Sequence, residues 1–139
     1  SLMAKLLDLM VIDALRVAGL SEVSAAITIP LATGMTLALV LMSLRLHWKS
    51  PPERKIVLWS RIDQKSCLKA IITAGFELVV IPLVAMGDEL QTNVSAFESA
   101  LEQYGDKVFC CVTTASCFAP RVPDKFEAIS RLCTKYNVG

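Results

Sequence analysis

Apolar residues recur at helical spacing through Leu2, Leu6, Leu7, Met10, Val11, Ala14 and Leu15, and Gly19 supplies a stop. Beyond it the pattern breaks into short apolar runs separated by turns and helical stretches. Ala25–Ile29 reads as a first strand. Met35–His47 reads as a helix that is apolar almost all round, so it is expected to be buried on most sides. Lys49–Arg54, with Pro51-Pro52, reads as a surface turn. Lys55–Ser60 predicts a strand, Asp63–Ala74 a helix ended by Gly75, Glu77–Val84 a strand, and Gly87-Asp88-Glu89 a turn. Asn93 is expected to cap a helix over Val94–Tyr104 that Gly105 ends. Lys107–Thr113 is the last strand, Ala115–Pro123 a loop, and Asp124 the expected cap of a helix over Lys125–Tyr136.

One helix followed by repeated strand–helix units predicts a three-layer α/β fold. Its sheet should be mostly parallel, of about four strands, and covered on both faces. Ligands of such sheets gather beyond the carboxyl ends of the strands. Those ends carry Thr33-Gly34, Ser60–Gln64 and Thr114–Cys117, so the chemically interesting loops are expected along one edge. A further strand is expected to begin at Asn137-Val138-Gly139.

Composition sharpens the picture. Of 139 residues 54% are hydrophobic, and mean hydropathy is +0.54. The ordinary apolar share is roughly 45–50%, so the sequence reads as an interior slice of something larger. No charge occurs from Val23 through Leu44, yet Pro30 and Gly34, with Thr28, Thr33 and Thr36, suit a buried strand, turn and helix better than a membrane span. Ser1–Leu20 has charges and no small-residue cleavage site, and is not read as a signal peptide. A net charge of +1 offers no global electrostatic case for nucleic acid. Cys67, Cys110, Cys111, Cys117 and Cys133 show no paired CxxC spacing, and His47 stands alone. Reduced core thiols of a cytoplasmic protein are expected, and no metal site. Met10, Met35, Met42 and Met86 read as core filler.

Two turns carry candidate chemistry. Pro30-Leu31-Ala32-Thr33-Gly34-Met35 leads from the first apolar run into a helix, and Arg61-Ile62-Asp63-Gln64-Lys65-Ser66-Cys67 repeats the arrangement. Helix starts present unpaired N–H groups and a positive dipole end, which suit a phosphate. The bland alternatives stay open at this point. Thr33 and Asp63 could cap their helices, Gln64-Lys65 could be a solvated first turn, and Arg121 could either grip a phosphate or carboxylate or pair with Asp124.

These two runs, with Ile72-Thr73-Ala74-Gly75-Phe76-Glu77, Gly87-Asp88-Glu89-Leu90 and Ser116-Cys117-Phe118-Ala119-Pro120-Arg121-Val122-Pro123-Asp124, resemble the O-phosphoseryl-tRNA(Sec) selenium transferases, the soluble liver antigen family. The resemblance covers the whole chain, in the family's order. It implies part of a fold-type I enzyme that uses pyridoxal 5'-phosphate and converts phosphoseryl-tRNA(Sec) to selenocysteinyl-tRNA(Sec) with selenophosphate. By resemblance, Ala32, Thr33 and Gly34 hold the cofactor phosphate, Gln64 lies close to the ring with Lys65 beside it, and the Ser116–Arg121 loop borders the same pocket. None of the lysines here matches the family's Schiff-base lysine, which is expected beyond Gly139, and the phosphoserine-binding loop is expected before Ser1. Residues 1–139 are thus expected to be a partial cofactor-binding large domain, incomplete at both ends and inactive alone. The resemblance further implies a cytoplasmic homo-oligomer, a tetramer in the family, with tRNA(Sec) as partner and no membrane. Two rival readings are a stand-alone α/β module binding a nucleotide or other anion, and a non-catalytic antigen or interaction fragment.

Overall fold

The computed structural model describes residues 1–115 and 121–139. The chain divides into two compact units, Ser1–Ala32 and Thr33–Gly139.

The first unit holds helix α1, Leu2–Val17. Ser1 caps it, its Oγ accepting from the Ala4 N–H at 3.3 Å, and Gly19 at φ +98° turns the chain away. The Arg16 guanidinium then donates to the Val23 carbonyl at 3.0 and 3.1 Å, and the Thr28 N–H donates to Asp8 Oδ1 at 2.8 Å. The strand expected at Ala25–Ile29 is absent. That run has the residue types of a strand, but its backbone enters no ladder, and the Thr28 amide is committed to a side chain.

The second unit begins with α2, Thr33–His47. Then come β1 (Ile56–Ser60), α3 (Lys65–Thr73) and β2 (Glu77–Ile81). A short pair, β3 (Val84–Met86) and β4 (Glu89–Gln91), precedes α4 (Val94–Tyr104), β5 (Val108–Val112) and α5 (Phe126–Tyr136). The main sheet has the order β2-β1-β5, and β1 pairs in parallel with both neighbours. The chain moves from β1 to β2 through α3, then back across β1 to β5 through α4. Parallel crossovers keep one hand, so reversing direction places the two helices on opposite faces.

The two cores show this directly. Val57 and Trp59 of β1 join Ala38 and Leu41 of α2 and Ala70 and Ile71 of α3 on one face. Ile56 and Leu58 join Phe97 and Leu101 of α4 and Ile129 and Leu132 of α5 on the other. All five β1 residues are buried, as a central strand between two helical layers must be. On β5 the adjacent Phe109 and Cys110 both belong to the first core. The register slips there, Ile56 facing Val108 while Val57 faces Cys110, so a bulge turns two successive side chains the same way.

The expected strand Glu77–Val84 stops at Ile81. Pro82 follows, lacking the N–H a ladder needs, and the chain folds into the β3–β4 hairpin around Gly87, whose φ is +61°. Asn93 caps α4 as expected, accepting from the Ala96 N–H at 3.0 Å. Asn137 closes α5 in the left-handed conformation, with Val138 N–H to the Cys133 carbonyl at 2.9 Å and Asn137 N–H to Thr134 at 3.3 Å, a Schellman arrangement. Gly139 then exchanges hydrogen bonds with Phe109 and Cys111 at 3.2 and 2.9 Å, the pattern of a parallel neighbour to β5.

Two burial expectations fail. Only Ala38 and Leu41 of α2 are buried, while Met35, Leu39, Val40, Met42 and Leu46 are exposed. The methionines expected in the core, Met10, Met35, Met42 and Met86, are all exposed. An apolar side chain has no preference for a particular core, and among the described residues of the second unit nothing buries these α2 positions.

Candidate functional site

β1, β2 and β5 are parallel, so their carboxyl ends, Ser60, Ile81 and Val112, lie along one edge. α3 starts just after β1 and therefore has its N-terminus at that edge. α2 lies beside α3 in the same direction. At the starts of the two helices, a Cβ on Gly34 would stand 3.3 Å from the Ser66 Cβ. Towards their ends, Arg45 Nη2 donates to the Gly75 carbonyl at 3.2 Å. Two positive dipole ends are thus set side by side, an arrangement that repels itself and that an anion relieves.

Of the residues singled out in the sequence, Thr33 is the first of α2 and exposed, and Gly34 is half-buried against Ser66. Thr33 is therefore a first-turn residue rather than the cap. Ala32 ends the first unit, so the placed part of that turn is Thr33-Gly34. Gln64 occupies the cap position of α3 in extended conformation without a side-chain capping bond, and Lys65 opens the helix. Both are exposed. Asp63, the alternative cap, is exposed and precedes that position. Sequence reasoning passed over Ser66. Its Oγ is buried and makes no hydrogen bond among the described residues. The signal available was its place in the first turn of an amphipathic helix.

Between β1 and β5 the helices that follow depart to opposite faces, which makes their carboxyl ends the switch point of the sheet. A buried polar node fills it. Asp124 Oδ1 accepts from Ser60 Oγ at 2.7 Å and Thr92 Oγ1 at 2.6 Å, and Oδ2 from the Thr114 N–H at 2.7 Å. Arg121 completes the node, with Nη2 donating to Asp124 Oδ1 and Nη1 to the Arg61 carbonyl at 2.8 Å. The side chains of Arg121 and Asp124 are 1% and 0% exposed. Of the two readings left open for Arg121, the ion pair is the one realised. Asp124 does not cap α5. Lys125 holds the cap position, and its N–H donates to Thr92 Oγ1 at 3.0 Å. Ser116 to Pro120, the rest of the expected pocket-bordering loop, lie outside the described residues.

The cysteines divide by environment. Cys67 packs against the first core. Burial pushes the Cys110 thiol up to about 12. Cys111 and Cys133 share a hydrogen bond that raises Cys111 and lowers Cys133. Cys117 lies outside the described residues. Among the described residues no group of three or more His, Cys, Asp or Glu side chains is gathered as a metal would need, and no helix is long and apolar enough to cross a membrane.

Fold and edge define the class: a three-layer α/β domain with a doubly wound parallel sheet whose polar loops collect at the carboxyl edge. The sequence pattern of the O-phosphoseryl-tRNA(Sec) selenium transferase family matches residues 1–139. The chain is 47% identical, over its full length, to the O-phosphoseryl-tRNA(Sec) selenium transferase of Dictyostelium discoideum, of which it covers 29%. It is 45% identical to that of Caenorhabditis elegans over 90% of the chain and 25% of the relative. The crystal structure of an archaeal O-phosphoseryl-tRNA(Sec) selenium transferase superposes with a TM-score of 0.70 at 26% identity, over 81% of this chain and 25% of that one. The chain belongs to the O-phosphoseryl-tRNA(Sec) selenium transferase family, and it spans less than a third of the length of these relatives.

Proposed function

We propose that this chain is part of a pyridoxal-phosphate enzyme that converts O-phosphoseryl-tRNA(Sec) to selenocysteinyl-tRNA(Sec), taking selenium from selenophosphate. The observation that carries the reading is the pair of helix starts at Gly34 and Ser66, in a chain that matches the family from end to end. The residues fit the phosphate of the cofactor. Gly34 lets the start of α2 approach Ser66 closely, bringing the two helix starts together, and the buried Ser66 Oγ lacks a partner among the described residues.

In this reading the N–H groups of Thr33 and Gly34 and the Thr33 hydroxyl donate to the phosphate, with Ala32 completing the turn. Gln64, exposed at the start of α3, turns its amide to the ring, and Lys65 adds positive charge beside it. When bound, the cofactor supplies an electron sink that lets phosphate leave the serine β-carbon and selenium take its place. Arg121 holds no substrate anion, because its fork is spent on Asp124 and the Arg61 carbonyl. The whole protein is proposed to be cytoplasmic; it is also proposed to assemble from several copies, which the exposed apolar side of α2 supports.

The test uses the whole protein. It should retain pyridoxal phosphate through dialysis and convert phosphoseryl-tRNA(Sec) when selenophosphate is supplied. Thr33→Val keeps shape and removes one charge-assisted hydrogen bond worth about 1.5–3 kcal/mol, so cofactor affinity should fall roughly ten- to a hundredfold. It should sit toward the low end of that range, because the backbone donors remain. Melting of the cofactor-free protein should hardly move, since Thr33 is not the helix cap. Unchanged affinity with a lowered melting point would place the phosphate elsewhere.

A further inference from the structure

We propose that Arg121 and Asp124 are positioning residues for the turn that presents Gln64: the buried pair fixes the Arg61 carbonyl and, through it, the start of α3. This rests on the proposed role of Gln64 toward the cofactor. The Arg61 peptide groups are gripped on both sides. Its N–H donates to the Ile81 carbonyl at 3.1 Å, and its C=O accepts from Arg121 Nη1 at 2.8 Å. Ile62 is buried, but at Asp63 and Gln64 no side-chain hydrogen bond among the described residues holds the chain. Asp63 and Gln64 are exposed, and α3 has no side-chain cap. Packing holds the turn on one side only: Ile62 sits in the first core, while an open cleft of about 320 Å³ lies beside the turn, lined by Arg61, Asp63, Leu83, Leu90 and Arg121. Among the described residues the Arg121 bond is thus the last side-chain hydrogen bond to the chain before Gln64, with only the packing of Ile62 in the first core after it.

Arg121 can serve this way because it is itself held. Its backbone bridges to Leu90 of β4, and Val122 N–H donates to the Leu90 carbonyl at 3.2 Å. Its partner Asp124 is fixed by donors from three separate segments: Ser60 at the end of β1, Thr92 before α4 and Thr114 after β5. A buried ion pair contributes little net stability against well-packed apolar residues, but it fixes geometry when its hydrogen bonds are all made. Here the planar fork sends N–H groups from two separate nitrogens in fixed directions to two acceptors, a geometry that a single freely rotating ammonium does not reproduce.

The experiment uses the whole protein, first without cofactor. In Arg121→Lys the charge stays, but the two fixed donor directions that serve Asp124 and the Arg61 carbonyl together are lost. Amide hydrogen exchange of a peptide spanning Arg61–Cys67 should quicken about tenfold, the loss of one hydrogen bond from a charged donor, while a peptide spanning α4 keeps its wild-type rate. Ser60→Ala, a milder change that loosens Asp124, should quicken the same peptide by a smaller factor and stands in if the lysine variant does not fold. With cofactor, Arg121→Lys should lower pyridoxal phosphate affinity about tenfold, and adding Gln64→Ala should lower it little further than the worse single change. Unchanged exchange at Arg61–Cys67, exchange that rises equally in α4, or losses that multiply with Gln64→Ala would each overturn the positioning role. If the wild-type protein retains no cofactor at all, the proposed function falls, and the exchange measurement still decides whether the pair positions the turn.

Discussion

Gly34 shows how much one missing methyl sets at the proposed site. Its backbone is ordinary helix, so conformational freedom is not the reason for a glycine; space is. A Cβ there would come within 3.3 Å of the Ser66 Cβ and 3.4 Å of the Ser66 carbonyl oxygen. Gly34→Ala brings two opposed effects. Alanine improves helix propensity by at most ~1 kcal/mol, and less in a first turn. Overpacking between helices costs ~1–3 kcal/mol. The second wins, so the cofactor-free whole protein should lose about 1 kcal/mol of stability. Ser66→Gly removes the clashing atom, and the double variant should recover most of that loss in chemical denaturation. No recovery would mean that the Gly34–Ser66 approach does not set the spacing of α2 and α3. This contact was invisible in the sequence, where Gly34 and Ser66 appeared only in two separate turns. The same holds for Asp124. Locally, an Asp before a helix reads as a cap, but its partners Ser60 and Thr92 lie 64 and 32 residues away. Only the fold brings them together.

At the scale of elements, legibility followed whether the signal was local. α4 was readable to the residue because Asn93 and Gly105 mark its ends in sequence, and the core helices and buried strands followed from their apolar periods. The run Ala25–Ile29 was misread because a strand exists only with a partner to pair with. The β3–β4 hairpin was half seen: its Gly87-Asp88 turn is a local signal, its three-residue arms are not. The packing of β5 against α5 adds a thiol pair that the sequence placed only as core. Cys111 donates to Cys133, which lowers Cys133, whereas burial lifts Cys110 to about 12. In the folded protein at pH 8, a small alkylating reagent should therefore label Cys133 well before Cys110 or Cys111. Cys110 also couples folding to pH. Its folded pKa lies above the unfolded value of 9.0, so the unfolded chain loses its proton first. The stability that Cys110 contributes is full below pH 9 and is lost as pH rises toward 12. Mapping the labelled cysteine by mass spectrometry, before and after denaturation, checks the order. Cys110 reacting first in the folded state would contradict its burial.

At the scale of the whole molecule, α2 explains why composition is so apolar for a domain of this size. The helix has two apolar sides. Ala38 and Leu41 face the sheet, while Met35, Leu39, Met42 and Leu46 follow one another at helical spacing and are exposed. Fully burying four such side chains is worth at most on the order of 6–12 kcal/mol, and less here because Leu39 and Met42 are already partly covered, while association costs an estimated 4–15 kcal/mol. The stripe alone is therefore too small to hold two molecules together, and it should be one strip of a larger interface. We expect the whole protein to sediment as an assembly of several copies, and Met42→Glu to shift it toward smaller species in a concentration-dependent way. A buried unpaired carboxylate costs several kcal/mol, enough to weaken the assembly measurably. The pair of sedimentation profiles separates the two ways of covering the stripe. If Met42→Glu leaves the assembly intact but lowers the melting point, the stripe is covered within one molecule by the rest of its own chain. If the wild-type protein is a monomer and the variant is as stable as wild type, nothing covers the stripe, and the apolar composition has another cause.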